Sequence, residues 1–344
     1  MIGNRCPLMW RLMRRLEQRC EANHGRHVDY AQSYWTPPMP PKLALDLESG
    51  QIEEVGLAPM VSITDHDSIQ APLLLQTVGE RQSPISVEWS VPYGPQFFHL
   101  GVHNLPNATA SEWMEILANY TARPVHGQLK EILSALHSDP RVLVIFNHPM
   151  WDLYRVGEKL HVELVGQFLL ENQEFLHAIE LNGLRNWEEN RKALHLAEKW
   201  KMVLISGGDR HGLEPNANIN LTNAGCFEEF VHEIRCERLS NILFMPQYAE
   251  PWKHRILQSA VDAVRHYPHF PRGSQRWDER VYHPDRNGVP KPLSALWPDG
   301  TAPRAMRWGI ALVQMMGRGV VSGGLRAVWS ETHDLQLALE KTEV

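Results

Sequence analysis

Short apolar segments alternate with amphipathic helical segments along the chain up to about residue 211. The candidate strands cover residues 61–64, 85–89, 97–102, 142–146, 178–181 and 203–206. The candidate helices between them cover residues 111–120, 129–137, 160–170 and 187–200. Because parallel strands need long crossovers, which are usually helices, this alternation predicts an α/β fold with a mainly parallel sheet.

Side chains that bind metals recur at the ends of these candidate strands. They are Asp65 and His66 after the first, Glu88 in the second, His99 in the third, His148 after the strand at 142–146, and Asp209 and His211 after the last. The carboxyl ends of parallel strands meet at one edge or mouth, where active sites form. Imidazole and carboxylate ligands suit a divalent metal. A single such residue is commonly structural, and Thr, Asp or Ser also cap helices, but the repetition predicts a metal centre.

The composition is that of an ordinary globular protein, with 43% apolar and 22% charged residues in 344. The net charge of −6 argues against a protein that coats nucleic acid. Four cysteines without a CxxC pair predict reduced thiols and a cytoplasmic location; Cys226 and Cys236 are expected to be buried thiols, with a metal pair as the alternative. We find neither a secretory signal nor a membrane-spanning segment, and expect no membrane partner.

The section after His211 has a different character. Residues 235–326 contain 14 Lys and Arg against 7 Asp and Glu, together with many prolines and four tryptophans. We interpret it as a helical and loop-rich extension whose basic side chains are solvated. The alternative is a lobe that recognises an anionic substrate, including nucleic acid, with arginines on phosphates and aromatics on bases.

Several short motifs occur in a fixed order. They are Thr64-Asp65-His66, Ser86-Val87-Glu88, His99-Leu100-Gly101, His148-Pro149 and Gly207-Gly208-Asp209-Arg210-His211. The series resembles the PHP (polymerase and histidinol phosphatase) superfamily of metal-dependent phosphoesterases, over roughly residues 27–212. Residues 179–182 also resemble a family segment that precedes the last motif.

The first family motif, HxH, has its best counterpart in His27-Val28-Asp29, where the second ligand would be a carboxylate; His24 is a weaker alternative to His27. A few positions later, where the family usually has another ligand, this chain has Ser33, Tyr34 and Trp35. The composition of the first metal site, and with it the number of bound metals, therefore stays open.

The resemblance implies a distorted (β/α)7 TIM-like barrel of the PHP type that holds two or three divalent ions: Mn, Zn, Fe or Mg. The implied ligands are His27, Asp29, His66, Glu88, His99, His148, Asp209 and His211. Asp65 would ligate a metal or orient a ligand, Asp67 would cap a helix, and His103 is either an auxiliary residue or a surface residue. The expected organisation is an N-terminal helix at 1–25, a barrel core at 26–215, and an extension at 216–344 that partly completes the barrel.

The implied reaction is hydrolysis of a phosphate ester by a metal-activated hydroxide. Glu88 suits a bridging role, and Asp209 or His211 would protonate the leaving group. Arg210 and Arg185 are candidates to bind phosphate. The expected substrate is a small phosphorylated metabolite or nucleotide, with nucleic acid less favoured. Two alternatives stay open: a catalytically lapsed barrel that binds anions, and an amidohydrolase-like metallohydrolase, which would be expected to carry a bridging lysine or carboxylate. The sequence does not set the oligomeric state.

Overall fold

The computed structural model describes residues 14, 15, 18, 21, 22, 33–36, 39–80, 83–125, 127–285, 287–297 and 300–329. The predicted N-terminal helix lies mostly outside these residues, and His24, His27 and Asp29 lie entirely outside them. The chain forms two compact units. Among the described residues, the larger unit comprises those of Pro40–Arg210 and Glu214–Ala249; the smaller comprises those up to Met39, His211–Leu213 and those from Glu250 to Trp329.

The strands are β1 (Tyr34–Trp35), β2 (Val87–Tyr93), β3 (Gln96–His103), β4 (Leu143–Asn147), β5 (Ala178–Asn182), β6 (Val203–Gly207), β7 (Asn218–Leu221), β8 (Asn241–Phe244), β9 (Val281–Pro284) and β10 (Pro290–Pro292). The helices are α1 (Pro41–Glu54), α2 (Gln70–Thr77), α3 (Ala110–Ala122), α4 (Gln128–Ser138), α5 (Glu158–Asn172), α6 (Trp187–Trp200), α7 (Phe227–His232), α8 (Trp252–Val264), α9 (Trp277–Arg280), α10 (Leu293–Leu296), α11 (Arg304–Met316) and α12 (Gly319–Val328). The 3-10 turns Gln173–Phe175 and Pro246–Ala249 and the π-helical turn Glu233–Glu237 complete the elements.

The larger unit is built on a five-stranded sheet in the order β2-β3-β4-β5-β6. The α/β class is as predicted, but the sheet is not mainly parallel. β4 pairs in parallel with β5, and β5 with β6, whereas β2–β3 and β3–β4 are antiparallel. The turn between Tyr93 and Gln96 is too short for a crossover, which makes β2 and β3 a hairpin. Among the described residues the sheet does not close into a barrel.

The strand predicted at residues 61–64 is not formed. The chain there only touches the edge of β2, through a parallel bridge between His66 and Glu88 and an antiparallel bridge between Asp65 and Ser68. The Glu88 N–H donates to the Asp65 carbonyl at 3.0 Å, and the Asp67 N–H donates to the Glu88 carbonyl at 2.9 Å. Asp67 then turns into the left-handed region at φ 52°, which stops further pairing.

Both faces of the sheet are covered, and this explains why β4 is a continuous apolar run. Val144 and Phe146 point into the main core, whereas Leu143 and Ile145 point into a second cluster on the other face. The main core includes side chains of α3, α4, α5 and α6, and the second cluster includes Phe227 and other residues of and next to α7. Side chains that alternate between two apolar layers are expected of a strand covered on both sides.

The smaller unit contains the helices α8 to α12 and the three-stranded antiparallel sheet β1-β9-β10. Its core contains Leu293, Leu296, Trp297, Ala302 and Met306. Arg280 is buried and donates hydrogen bonds to four backbone carbonyls, those of Ala263, Arg265, Ser274 and Gln275. These four hydrogen bonds account for the burial of the guanidinium, so we assign Arg280 a structural role.

Two other observations bear on the sequence predictions. Cys226 and Cys236 are free, but both are exposed, so the prediction of buried thiols is wrong for this pair. In the described part of the chain, no helix is long and apolar enough to cross a membrane.

Glu48 on α1 makes the stability of the larger unit depend on pH. Its carboxylate accepts the Asn216 N–H at 2.9 Å, and burial raises its pKa to about 7 against the opposing effects of that hydrogen bond and of Arg210. The folded state holds the Glu48 proton more tightly than the unfolded state does. The contribution of Glu48 to the free energy of unfolding is therefore complete below the pKa of Glu48 in the unfolded chain, and it is lost as the pH rises through about 7. In urea unfolding, Glu48→Gln should remove a fall in stability on the order of 2 kcal/mol between pH 5 and 8.

The exposed Glu53 on the same helix provides the control. Glu53→Gln should keep the pH dependence of the wild type. Equal pH slopes for the wild type and Glu48→Gln would show that Glu48 is not the titrating group.

Candidate metal centre

The structure brings together five of the predicted ligands, all in the larger unit. Glu88 and His99 lie on the paired strands β2 and β3, and His66 is bridged to Glu88. His148 directly follows β4, whose Asn147 is in register with His99. Asp209 follows the end of β6. The sheet thus explains why residues from distant parts of the sequence meet.

Glu88 lies at the middle of this group. Its Oε1 is 3.0 Å from His148 Nε2 and 3.4 Å from His99 Nδ1, while its Oε2 is 3.7 Å from His66 Nδ1. Within the larger unit, two triads have ligand atoms within 4.8 Å of one another: His66, Glu88 and His99, and Glu88, His148 and Asp209. Glu88 belongs to both. Its Oε1 faces one histidine of each triad, and its Oε2 faces His66. A carboxylate common to two ligand groups has two oxygens that two cations can share.

For Glu88 and His99, the electrostatics favour the protonation states that metal ligands need, whereas the pKa of His148 is shifted in the opposite direction. Burial would raise the pKa of Glu88, but the charge of His66, with the hydrogen bond and charges of His148 and His99, holds it well below its usual range. Burial lowers the pKa of His99 to about 3. Burial alone would lower the pKa of His148, but its hydrogen bond with Glu88 raises this pKa above its ordinary value. An ionised Glu88 and a neutral His99 at neutral pH fit a divalent cation, which requires deprotonated ligands.

Two of these residues have strained backbones. His148 has φ 28° and Asp209 has φ 46°, both in the region that favours glycine. Such conformations cost on the order of 1–3 kcal/mol each and cluster at functional sites. The His148 conformation is held by a hydrogen bond from its N–H to Glu180 Oε2, 2.7 Å long.

Glu180 is a residue that the sequence prediction left without a role. It is buried on β5 and also accepts a hydrogen bond from Asn182 Nδ2 at 3.0 Å. Burial raises its pKa. Its side chain fills the space next to Gly207, where an added Cβ would lie 1.6 Å from Glu180 Oε1. The signal in the sequence was a single carboxylate inside an apolar strand. A buried carboxylate needs an ionic or hydrogen-bonding partner, so its position predicts a specific structural or functional contact.

Arg185 reaches the same group from the loop after β5. Its Nη2 forms an ion pair with Asp209 Oδ2, and both side chains are buried. Its guanidinium carbon lies 3.7 Å from the ring centroid of Trp151. Trp151 in turn makes an edge contact with His148, with the ring centroids 5.1 Å apart. Trp151 was not predicted, and its position three residues after His148 was the only signal in the sequence.

Buried asparagines fix the loop that carries Arg185. The Asn182 N–H donates to Asn190 Oδ1, and the Leu184 N–H donates to Asn182 Oδ1, both at 2.9 Å. Asn218 Nδ2 donates to the Leu181 carbonyl at 2.7 Å. A guanidinium held in this way, by its loop and by the Trp151 ring, is preorganised for a planar contact.

Arg210, the other predicted phosphate contact, lies against Glu214, with Nη2 2.5 Å from Glu214 Oε2. Its Nε and Nη1 are buried and have no hydrogen-bond partner among the described residues. Both predicted phosphate contacts therefore have carboxylate partners in this structure.

The remaining predicted residues lie in different places. His211 follows Asp209 by two residues and belongs to the smaller unit. Asp65 borders Glu88 through its backbone, and neither triad above includes it. Asp67 does not cap a helix; its Oδ1 accepts the Ser90 N–H at 2.8 Å. His103 is partly buried, its Nδ1 lies 2.8 Å from Ser62 Oγ, and burial lowers its pKa to about 4; neither triad above includes it.

No family model and no curated protein matches the chain. Among solved structures, PsfC from Pseudomonas syringae PB-5123 is 15% identical with a TM-score of 0.42, covering 64% of this chain and 87% of that one. A candidate metal-dependent phosphoesterase from Bifidobacterium adolescentis ATCC 15703 is 15% identical with a TM-score of 0.34, covering 58% and 91%. An amidohydrolase from Chromobacterium violaceum, solved with sulfate and no metal, is 14% identical with a TM-score of 0.36, covering 64% and 92%.

Since these TM-scores are 0.42 or lower, the likenesses carry no functional argument. The function must be argued from the residues of the site.

Proposed function

We propose that this protein is a metal-dependent phosphoesterase of the PHP type, which hydrolyses a phosphate ester of a small metabolite or a nucleotide. One observation carries the proposal: the buried carboxylate Glu88 is common to two triads of histidine and carboxylate ligands. Nitrogen and oxygen ligands in this combination suit Zn, Mn or Fe. The triad with two carboxylates, Glu88, His148 and Asp209, also suits Mg.

The chain's residues divide between two cation positions. His66, Glu88 and His99 would hold one cation, and Glu88, His148 and Asp209 would hold the other. The resemblance implies His27, Asp29 and His211 as further ligands, and two or three cations in all. Bound cations would supply Lewis acidity towards phosphoryl oxygens and a lower pKa for a coordinated water.

The remaining roles fall to side chains around the cluster. Hydrolysis forms a bond between a water oxygen and phosphorus and breaks the bond to the ester oxygen, which leaves with a proton. His211 or Asp209 is the proposed donor of that proton. Arg185 is proposed to bind the phosphate, since a guanidinium fixed on Trp151 can present two parallel N–H donors. Arg210 is the second proposed phosphate contact.

The proposal extends to architecture and location. The bridge of His66 to Glu88 brings a further chain segment to the β2 edge of the sheet, which supports a distorted (β/α)7 barrel. The free cysteines Cys226 and Cys236 are consistent with a cytoplasmic protein.

Metal analysis of the purified chain, followed by hydrolysis of p-nitrophenyl phosphate with Mn, Zn or Fe, tests the function. We expect bound metal and metal-dependent turnover, and loss of both in His148→Ala. The exposed His195 provides the control, so His195→Ala should retain both. A chain with neither metal nor turnover would refute the proposal; metal and phosphate binding without turnover would favour the lapsed barrel.

The variant Arg185→Lys tests the phosphate contact. Lysine keeps the positive charge beside Asp209 but lacks the planar fork and the stack on Trp151. We expect KM for p-nitrophenyl phosphate to rise by about tenfold, because a bidentate charged hydrogen bond is worth roughly 1.5–3 kcal/mol. Arg191→Lys, an exposed site on α6, should leave KM unchanged. Wild-type kinetics in Arg185→Lys would remove Arg185 from substrate binding.

A further inference from the structure

The helix α11 in the smaller unit has two apolar sides. Met306 and Ile310 belong to the core of the unit. On the opposite side, Trp308, Leu312 and Met315 are exposed by 77%, 51% and 45%. They follow one another at spacings of four and three residues, which places them in one stripe. Packing among the described residues of the unit does not account for this exposed stripe.

The next helix, α12, also carries exposed apolar side chains. Val320 is exposed by 92% and Val328 by 80%. Together with Trp308 at 77%, these are the three most exposed large apolar side chains in the described part of the chain. Single exposed apolar residues are normal, but a concentration of them marks an interaction surface. We call the exposed side chains Trp308, Leu312, Met315, Val320 and Val328 the α11–α12 surface.

The charged side chains in the chain segment that carries this surface are all positive. Residues 301–329 contain four arginines and no aspartate, glutamate or lysine. Arg304, Arg307 and Arg318 are exposed, and Arg326 lies 3.5 Å from Glu250. Arg304 is four residues before Trp308 and therefore lies on the same side of α11 as the apolar stripe.

We propose that the α11–α12 surface binds the surface of an anionic lipid bilayer. A basic helix with an exposed tryptophan and aliphatic side chains suits the boundary between headgroups and acyl chains, in the plane of the membrane. Arginines near such a surface attract acidic headgroups. The proposal departs from the sequence-based expectation of no membrane partner, which rested on the lack of a spanning segment. A contact with the bilayer surface needs no such segment, and it is independent of the proposed phosphoesterase activity.

Charge and composition favour this partner over two others. Pairing of two copies through this surface would bring eight arginines together without a compensating carboxylate in residues 301–329. Nucleic acid would use the arginines, but it offers no apolar layer for Leu312, Met315, Val320 and Val328. An anionic bilayer offers acidic headgroups to the arginines and an apolar layer to the aliphatic side chains.

Flotation of the full chain with vesicles tests the inference. Vesicles of phosphatidylcholine with about a third phosphatidylglycerol are compared with vesicles of phosphatidylcholine alone. We expect binding to the anionic vesicles, weaker binding to the neutral ones, and a decrease with added salt. The variants Trp308→Glu and Leu312→Glu should reduce the bound fraction by about tenfold, and Arg304→Gln with Arg307→Gln should reduce it on anionic vesicles only.

Leu170→Glu on α5 is the matched control, since Leu170 is exposed by 70% outside the α11–α12 surface. It should bind vesicles like the wild type. Circular dichroism melting checks that each variant is folded, and Trp308→Ser replaces Trp308→Glu if the charge unfolds the chain.

Three results would overturn the inference. The first is a wild type that does not bind anionic vesicles, or vesicle binding that Trp308→Glu leaves unchanged. The second is a concentration-dependent dimer in solution that Trp308→Glu abolishes, which would assign the surface to a second copy. The third is binding of a single-stranded oligonucleotide that depends on the same residues.

Discussion

Replacing Glu88 by glutamine is expected to abolish metal-dependent turnover and to lower metal affinity by more than ~100-fold. Partners that only orient a ligand are worth 10–100-fold in metal affinity, and Glu88 lies between both triads. Glutamine keeps the size of the side chain but removes the negative charge and one acceptor oxygen, so His66 and His148 lose their common carboxylate. Titration calorimetry with Mn and kcat/KM for p-nitrophenyl phosphate measure the two effects.

The control for this prediction is Glu163→Gln, an exposed position on α5 that should change neither quantity. Urea unfolding without metal should show that Glu88→Gln is folded, so that its loss of metal is not loss of structure. Wild-type affinity for Mn in a folded Glu88→Gln would contradict the central role given to this carboxylate.

Gly207→Ala is expected to destabilise the larger unit by about 3 kcal/mol or more, an effect in the extreme tail of single substitutions. The added Cβ would lie 1.6 Å from Glu180 Oε1, and the buried Glu180 has no room to move without losing the hydrogen bond from the His148 N–H. If the chain does accommodate the methyl group, His148 loses its backbone support and metal affinity falls. Urea unfolding and metal titration therefore both respond.

Gly166→Ala on α5 is the matched control, because no atom lies within 4 Å of the position of its Cβ. In a helix this change should be neutral or stabilising by up to ~1 kcal/mol. Shortening the side chain in the double variant Gly207→Ala/Glu180→Asp should restore part of the lost stability. Equal changes in the free energy of unfolding for Gly207→Ala and Gly166→Ala would contradict the close packing of Glu180 against Gly207.

The elements of the larger unit could largely be predicted, since most are amphipathic or fully buried over their whole length. The helix at 187–200 begins and ends as predicted, and β3 to β6 lie within two residues of their predicted bounds. The pairing of strands could not be predicted from the pattern. Because β4 is buried on both faces, its apolar run gives no sign that it is antiparallel to β3 and parallel to β5.

The candidate site shows the same division. His66, Glu88, His99, His148 and Asp209 were predicted because ligand residue types recur at strand ends. Glu180 and Trp151 were not, since their positions depend on tertiary contacts: a hydrogen bond to the His148 N–H and a stack on Arg185. The same holds for the hydrogen bond between His103 and Ser62. His27 and Asp29 stay predictions.

Crystals of the full chain soaked with Mn, with data collected on both sides of the metal absorption edge, test the central claim most directly. We predict anomalous peaks about 2–2.5 Å from the oxygens of Glu88, at least two in number, one shared with His66 or His99 and one with His148 or Asp209. A crystal without a peak at Glu88, or with Mn only at other residues, would contradict the account.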